Sequence, residues 1–237
     1  MCVVAIALSA HPRWRLTLAA NRDEFHARPT AALARWVEDD QVIAGRDLQS
    51  GGTWLGVSEA GRIALVTNVR NPEGPQPDKA SRGALVADWL TGEGEFADST
   101  KADLTRFNPF NLLIADKRGA HFLTNQPQPN AHMLPPGLHS LSNGMAGEAW
   151  PRKDRLEAAL SGWLSREGMH PEALLEMLRD ETAMEAENPL FIRAPVYGTR
   201  CSTVIAIDAA GRGVITERRF DAEGVVAGET RLGFNWT

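Results

Sequence analysis

At 237 residues with 43% hydrophobic side chains, the chain has material for one large core or two small ones, which excludes disorder as its default state. Its 25 basic and 30 acidic residues leave a net charge of -5 with no lysine-rich block, so nucleic acid is set aside as a partner. No apolar run reaches the roughly 18 residues of a membrane span, and the N-terminus lacks the basic-then-apolar layout of a signal peptide, so a soluble cytoplasmic protein is expected.

In chain order, "VVAIALSAHPRWRLTLAA" (3–20) reads as an antiparallel hairpin, and "ANRDEFHARP" (20–29) ends its second strand in four polar or charged residues. "GRDLQSGGTWLG" (45–56) is glycine-rich but lacks the spacing of a phosphate loop, and it reads as a turn admitting the backbone near a site. A second hairpin, "TWLGVSEAGRIALVTNV", covers 53–69, a Pro/Gly-rich surface loop covers 71–79, and a helix is predicted over 81–92. A third hairpin, "FNLLIADKRGAHFLTN", covers 110–125 and leads into a second surface loop over 125–137. Helices are predicted over 151–167, where Leu156, Leu160, Trp163 and Leu164 keep helical spacing, and over 170–182. A fourth hairpin, "STVIAIDAAGRGVITERRF", covers 202–220. Hairpins separated by helices predict an α+β protein of stacked antiparallel sheets with helical cover, as one domain over 1–237.

The two cysteines, Cys2 and Cys201, have neither disulfide-scaffold numbers nor zinc spacing. Removal of Met1 would leave Cys2 with a free α-amine beside its own thiol. An amine titrating near 7.7–8.0 is a base for a thiol near 8.5, so such a residue is nucleophile and base at once. The plainer reading is a small apolar residue entering a strand. The first hairpin returns Asn21, Arg22, Asp23 and Glu24 to the level of Cys2, where a guanidinium favours thiolate and a carboxylate steadies the amine. Against this stands a solvated turn with a local ion pair. Asp23, Glu24 and His26 have no second ligand cluster, so no metal is expected. Asn68 and Asn143 end strand-like runs; their amides suit an oxyanion hole or simply close local turns. Strict alternation from Arg200 toward the Cys2 site turns Cys201 away from it and leaves Cys201 a packing role.

The segments "ANRDEF", "SGGTWLG", "TNVR", "SRG", "NPFN", "LSN" and "YGTR" resemble the NRDE family, also called the transport and Golgi organisation family, along nearly the whole chain. The resemblance implies a four-layer αββα sandwich of the N-terminal nucleophile (Ntn) hydrolase type, similar to penicillin V acylase and choloylglycine hydrolase. It implies Cys2 as nucleophile, Asn68 and Asn143 as oxyanion and substrate-positioning residues, and Arg200 as a late active-site arginine; Asn21, Glu24 and Trp54 are expected at the substrate. Those hydrolases carry Arg-Asn-x-Asp where this chain has Asn-Arg-Asp-Glu, which leaves Asp23 and Glu24 as alternatives for holding the amine. The expected function is hydrolysis or acyl transfer on an amide or thioester of a hydrophobic acid, with no cofactor. The alternative, from the family's association with haem mobilisation and acyl-CoA metabolism, is a non-catalytic protein that binds haem or acyl-CoA in the same cleft.

Overall fold

The computed structural model describes residues 2–145, 147–148, 150–166, 170–182 and 189–236. The first strands are β1 (Cys2–His11), β2 (Trp14–Phe25), β3 (Thr30–Arg35), β4 (Val42–Asp47), β5 (Leu55–Ser58) and β6 (Arg62–Asn68), followed by helix α1 (Arg82–Thr91). Then come β7 (Phe110–Asp116), β8 (Gly119–Thr124), β9 (Asn130–Leu134), β10 (Gly137–Leu141), α2 (Pro151–Leu164) and α3 (Ala173–Met177). The chain closes with β11 (Tyr197–Asp208), β12 (Arg212–Phe220) and β13 (Val226–Asn235). All four predicted hairpins form, as β1–β2, β5–β6, β7–β8 and β11–β12.

The chain divides into two compact units, the first made of residues 1–28, 136–142 and 149–235 and the second of 29–135, 143–148 and 236–237. The first holds a six-stranded antiparallel sheet in the order β10-β1-β2-β11-β12-β13. β1 is buried from Val3 to Leu8, hence on both faces, which is why it reads as an unbroken apolar run. On one face the small side chains Val3, Ala5, Ala7, Ala19, Val204 and Ala206 meet Leu156, Leu160 and Trp163 of α2 and Leu174 of α3. Alanines and valines leave room for the helices to seat, and each fully buried leucine contributes about 1.5–3 kcal/mol.

The second unit is a seven-stranded antiparallel sheet in the order β3-β4-β5-β6-β7-β8-β9. Val42, Ala44, Ala64, Val66, Leu112 and Ile114 pack on Leu85, Val86, Trp89 and Leu90 of α1. α1 stops at Gly92, whose φ of 76° lets its N–H turn back to the Asp88 carbonyl. Both units are therefore sheets with helices on one face, and the chain is α+β.

Three local expectations need correction. The surface loop over 125–137 contains the edge strand β9, whose residues are mostly exposed and pair with β8. The helix over 170–182 shrinks to Ala173–Met177, because Asp180 instead accepts a bond from the Phe191 N–H and the chain turns to meet it. α2 ends at Leu164, and residue 167 of its expected span lies outside the described residues. The glycine turn, expected to bring backbone to a site, has a packing reason within its own unit. A Cβ on Gly52 would lie 2.3 Å from the Gly83 backbone at the start of α1, and the Thr53 N–H donates to the Gly83 carbonyl at 3.3 Å. "SGG" and "SRG" are two halves of one helix-to-turn contact.

Candidate active site

The β1–β2 hairpin turns on Pro12 and Arg13 and brings Cys2 directly opposite Arg22, within the 21–24 stretch expected at its level. Across β2, Arg22 faces Cys201 on β11, and Cys201 faces Arg219 on β12. Cross-strand partners project to the same face, so Cys2, Arg22, Cys201 and Arg219 form a row on the face of the sheet opposite to α2. This corrects the expectation that Cys201 points away from Cys2. The register slips between Thr199 and Cys201, making Arg200 the extra residue of a β-bulge, and alternation counted through a bulge fails by one. Two strand spacings, about 10 Å, separate the two cysteines, too far for a disulfide.

Cys2 is half-buried and Cys201 fully buried. Burial raises the Cys2 thiol above its ordinary value and the Asp23 charge adds to the rise, while Arg22 and a bond from the Asp23 backbone N–H oppose it without prevailing. The expectation that Arg22 leaves the thiol partly ionised is corrected accordingly: desolvation outweighs the guanidinium. Cys201 is pushed further up, by burial first and the Glu217 carboxylate second.

On the α2 face of the same strand end sits a wired cluster. The Asp23 carboxylate accepts a 2.6 Å hydrogen bond from the Thr199 hydroxyl, and its other oxygen lies 2.6 Å from Nη2 of Arg152 on α2. Arg152 also donates from Nε to the Pro189 carbonyl at 2.8 Å and from Nη2 to the Leu190 carbonyl at 2.7 Å. Thr199 and Ile192 exchange bonds, and the Tyr197 hydroxyl donates to the Asp23 carbonyl at 2.9 Å. Burial raises the Asp23 carboxyl, and Arg152 is the chief influence holding it down. Sequence reading missed Arg152. The signal was there: Arg152, Leu156 and Leu160 are spaced by four, so this arginine lies on the apolar face of its helix, where a charge needs a partner.

Asn21, expected at the substrate, is corrected to an internal tie. It is 0% exposed, donates to the Leu178 and Leu190 carbonyls at 2.8 Å each, and accepts from the Ser202 hydroxyl at 2.6 Å. Glu24 accepts from the Phe25 N–H and lies 3.7 Å from Arg22 and 3.9 Å from Arg28. Of the two candidate carboxylates, Asp23 is the one coupled to the Cys2 thiol. Nη1 of Arg200 reaches the carbonyls of Phe25, His26 and Arg28 at 2.9, 3.0 and 3.2 Å, so this arginine clasps the turn after β2. Burial, then the like charge of Arg22, lowers its affinity for its proton. His26 meets the Ala194 carbonyl at 2.9 Å, and among the described residues no three His, Cys, Asp or Glu form a metal-ligating group.

In the second unit, Asn68 and Asn143 come together: the Asn143 amide donates to the Asn68 carbonyl at 2.5 Å, and the Arg70 N–H donates to the Asn143 carbonyl at 2.9 Å. Trp54 is half-buried just before β5, and its carbonyl accepts from the Val66 N–H at 2.8 Å. No described helix is long and apolar enough to cross a membrane.

The family described as "Transport and Golgi organisation 2" matches residues 1–222. A Transport and Golgi organization protein 2 homolog of Bos taurus is 32% identical over 256 residues, with 92% of each chain covered. The Homo sapiens homolog is 29% identical, covering 98% of this chain and 97% of its own. Among solved structures, the Caenorhabditis elegans ortholog of N-acylethanolamine-hydrolyzing acid amidase superposes with a TM-score of 0.57 at 15% identity, over 86% of this chain and 92% of that one. Penicillin V acylase from Agrobacterium tumefaciens gives 0.56 at 13% identity, over 98% and 91%. At such identities the likeness fixes the fold alone, as Ntn-hydrolase-like. The chain belongs to the Transport and Golgi organisation 2 family, the one its NRDE motif marks.

Proposed function

We propose that residues 1–237 work as one domain and that the protein is a cytoplasmic, cofactor-independent hydrolase or acyltransferase of the Ntn type, acting on an amide or thioester of a hydrophobic acid. Cys2, freed of Met1, is the nucleophile. Its thiol attacks the acyl carbon and passes its proton to its own α-amine, which returns it to the leaving amine or thiol; water then releases the acid from the thioester on Cys2. Arg22 limits the thiol's rise, Asp23 steadies the amine, and the amides of Asn68 and Asn143 receive the oxyanion or carbonyl. The observation that supports this reading best is the register that sets Cys2 against Arg22, with the Asp23 N–H on the sulfur.

A second reading, a carrier of haem or acyl-CoA without turnover, draws support from the thiol's upward shift, since a protonated thiol is a poor nucleophile. Turnover of acyl-amide and acyl-thioester substrates by Met1-free protein separates the two. The hydrolase reading expects Cys2→Ala to abolish product release while ligand affinity stays within a few-fold. Absence of turnover across such a screen, with haemin or long-chain acyl-CoA bound equally by wild type and Cys2→Ala, replaces it with the carrier.

A further inference from the structure

Arg152 is 1% exposed, and it sits in the first turn of α2, where the helix dipole disfavours a cation. A buried guanidinium is costly unless a carboxylate meets it, and here Asp23 does so at 2.6 Å, with side-chain exposures of 2% and 0%. Each ion is thus the condition for the other. Asp23 follows Arg22, the register partner of Cys2, so the ion pair ends next to the thiol's own strand pair.

We propose that Arg152 is a positioning residue for Cys2: from the first turn of α2 it holds Asp23 as a carboxylate at the end of β2, so that the charge beside the thiol is set from the helix. The inference rests on the reading of Cys2 as the reactive group, and it concerns a residue that touches neither the thiol nor a substrate. Among the described residues, the other charged and titratable groups at this strand end are Cys2 on β1, Arg22 and Glu24 on β2 itself, and Tyr197, Arg200 and Cys201 on β11. Beyond α3, Asp180 pairs with Arg155, and Arg193 pairs with Glu181, so each of these is matched by a neighbour of its own. Without Arg152, a carboxyl in this environment takes up a proton, and its negative charge no longer opposes ionisation of the thiol.

The test is the pH dependence of Cys2 alkylation by iodoacetamide in the full chain, read by peptide mapping, which needs no substrate and no turnover. Arg152→Met is expected to move the midpoint about one unit to lower pH. Arg152→Lys is expected to keep the wild-type midpoint. The double variant Asp23→Asn/Arg152→Met is expected to match Arg152→Met, because Asp23 is already neutral there. Should Arg152→Met fail to fold, the double variant, which buries no unpaired charge, is compared with wild type and is expected to show the same shift. An unchanged midpoint in Arg152→Met, or in the double variant where it stands in, overturns the proposal, and so does a double variant that differs from Arg152→Met. Absence of turnover by Met1-free wild type, with these midpoints as expected, would instead count against the hydrolase reading alone.

Discussion

The two faces of β2 at its C-terminal end differ in kind, although four consecutive residues, Asn21 to Glu24, supply both. Asn21 and Asp23 project toward α2 and are spent on hydrogen bonds and an ion pair to Leu178, Leu190, Thr199 and Arg152. Arg22, opposite Cys2 and Cys201, projects to the other face, with the Glu24 carboxylate 3.7 Å from it. A polar run that looks like one cluster in sequence is divided by the period of the strand into a wired half and a half beside the thiol. The lesson is that a dense polar motif at a strand end holds two jobs, and only parity tells which residue has which.

The sharpest way to break this comparison is on the wired face. Asn21→Ala removes three buried hydrogen bonds and is expected to cost about 3 kcal/mol in urea unfolding. A loss under about 0.5 kcal/mol would mean that the face is not wired as described. On the other face, Arg22→Met is expected to move Cys2 alkylation toward higher pH, by less than the opposite shift from Arg152→Met, because the Asp23 charge that Arg152→Met removes is a larger influence on the thiol than Arg22. An unmoved or lowered midpoint would deny Arg22 its place beside the sulfur.

The alkaline limb of stability offers a finer probe. The folded Cys201 thiol lies well above its ordinary value, so its contribution is complete below about pH 8.5 and declines as pH rises through the folded value. Cys201→Ala is therefore expected to flatten the fall in stability above that pH, and an unchanged slope would place Cys201 outside the core. Glu24→Gln should have the smallest effect, under about 0.5 kcal/mol, since its ion pairs at 3.7 and 3.9 Å are long and partly exposed.

The strands with continuous apolar runs or clear hairpin turns were legible in the sequence, because burial on both faces writes itself into β1, β2, β7 and β11. β3, β9 and β13 were not, since "TAALAR", "NAHML" and "VAGETRLGFN" are mostly exposed edge segments with polar or small side chains. At the site, hairpin length brought residues 21–24 to the level of Cys2, but only the register shows that Arg22 is the one opposite it. The place of Cys201 was not legible, because the bulge at Arg200 is invisible to alternation. Arg152 was hidden by its distance in sequence from Asp23, and the role of Asn21 was hidden because its partners are backbone carbonyls, which carry no residue-type signal.

The central claim is that Cys2 carries the chemistry, and acyl transfer to the protein tests it most directly. Purified chain is treated with an activated acyl ester and its intact mass and peptides are measured. The expected result is a chain lacking Met1 that gains one acyl group, located on the N-terminal peptide and absent from Cys2→Ala. A chain that keeps Met1 and takes up no acyl group, or one acylated at Cys201 in preference to Cys2, would contradict it.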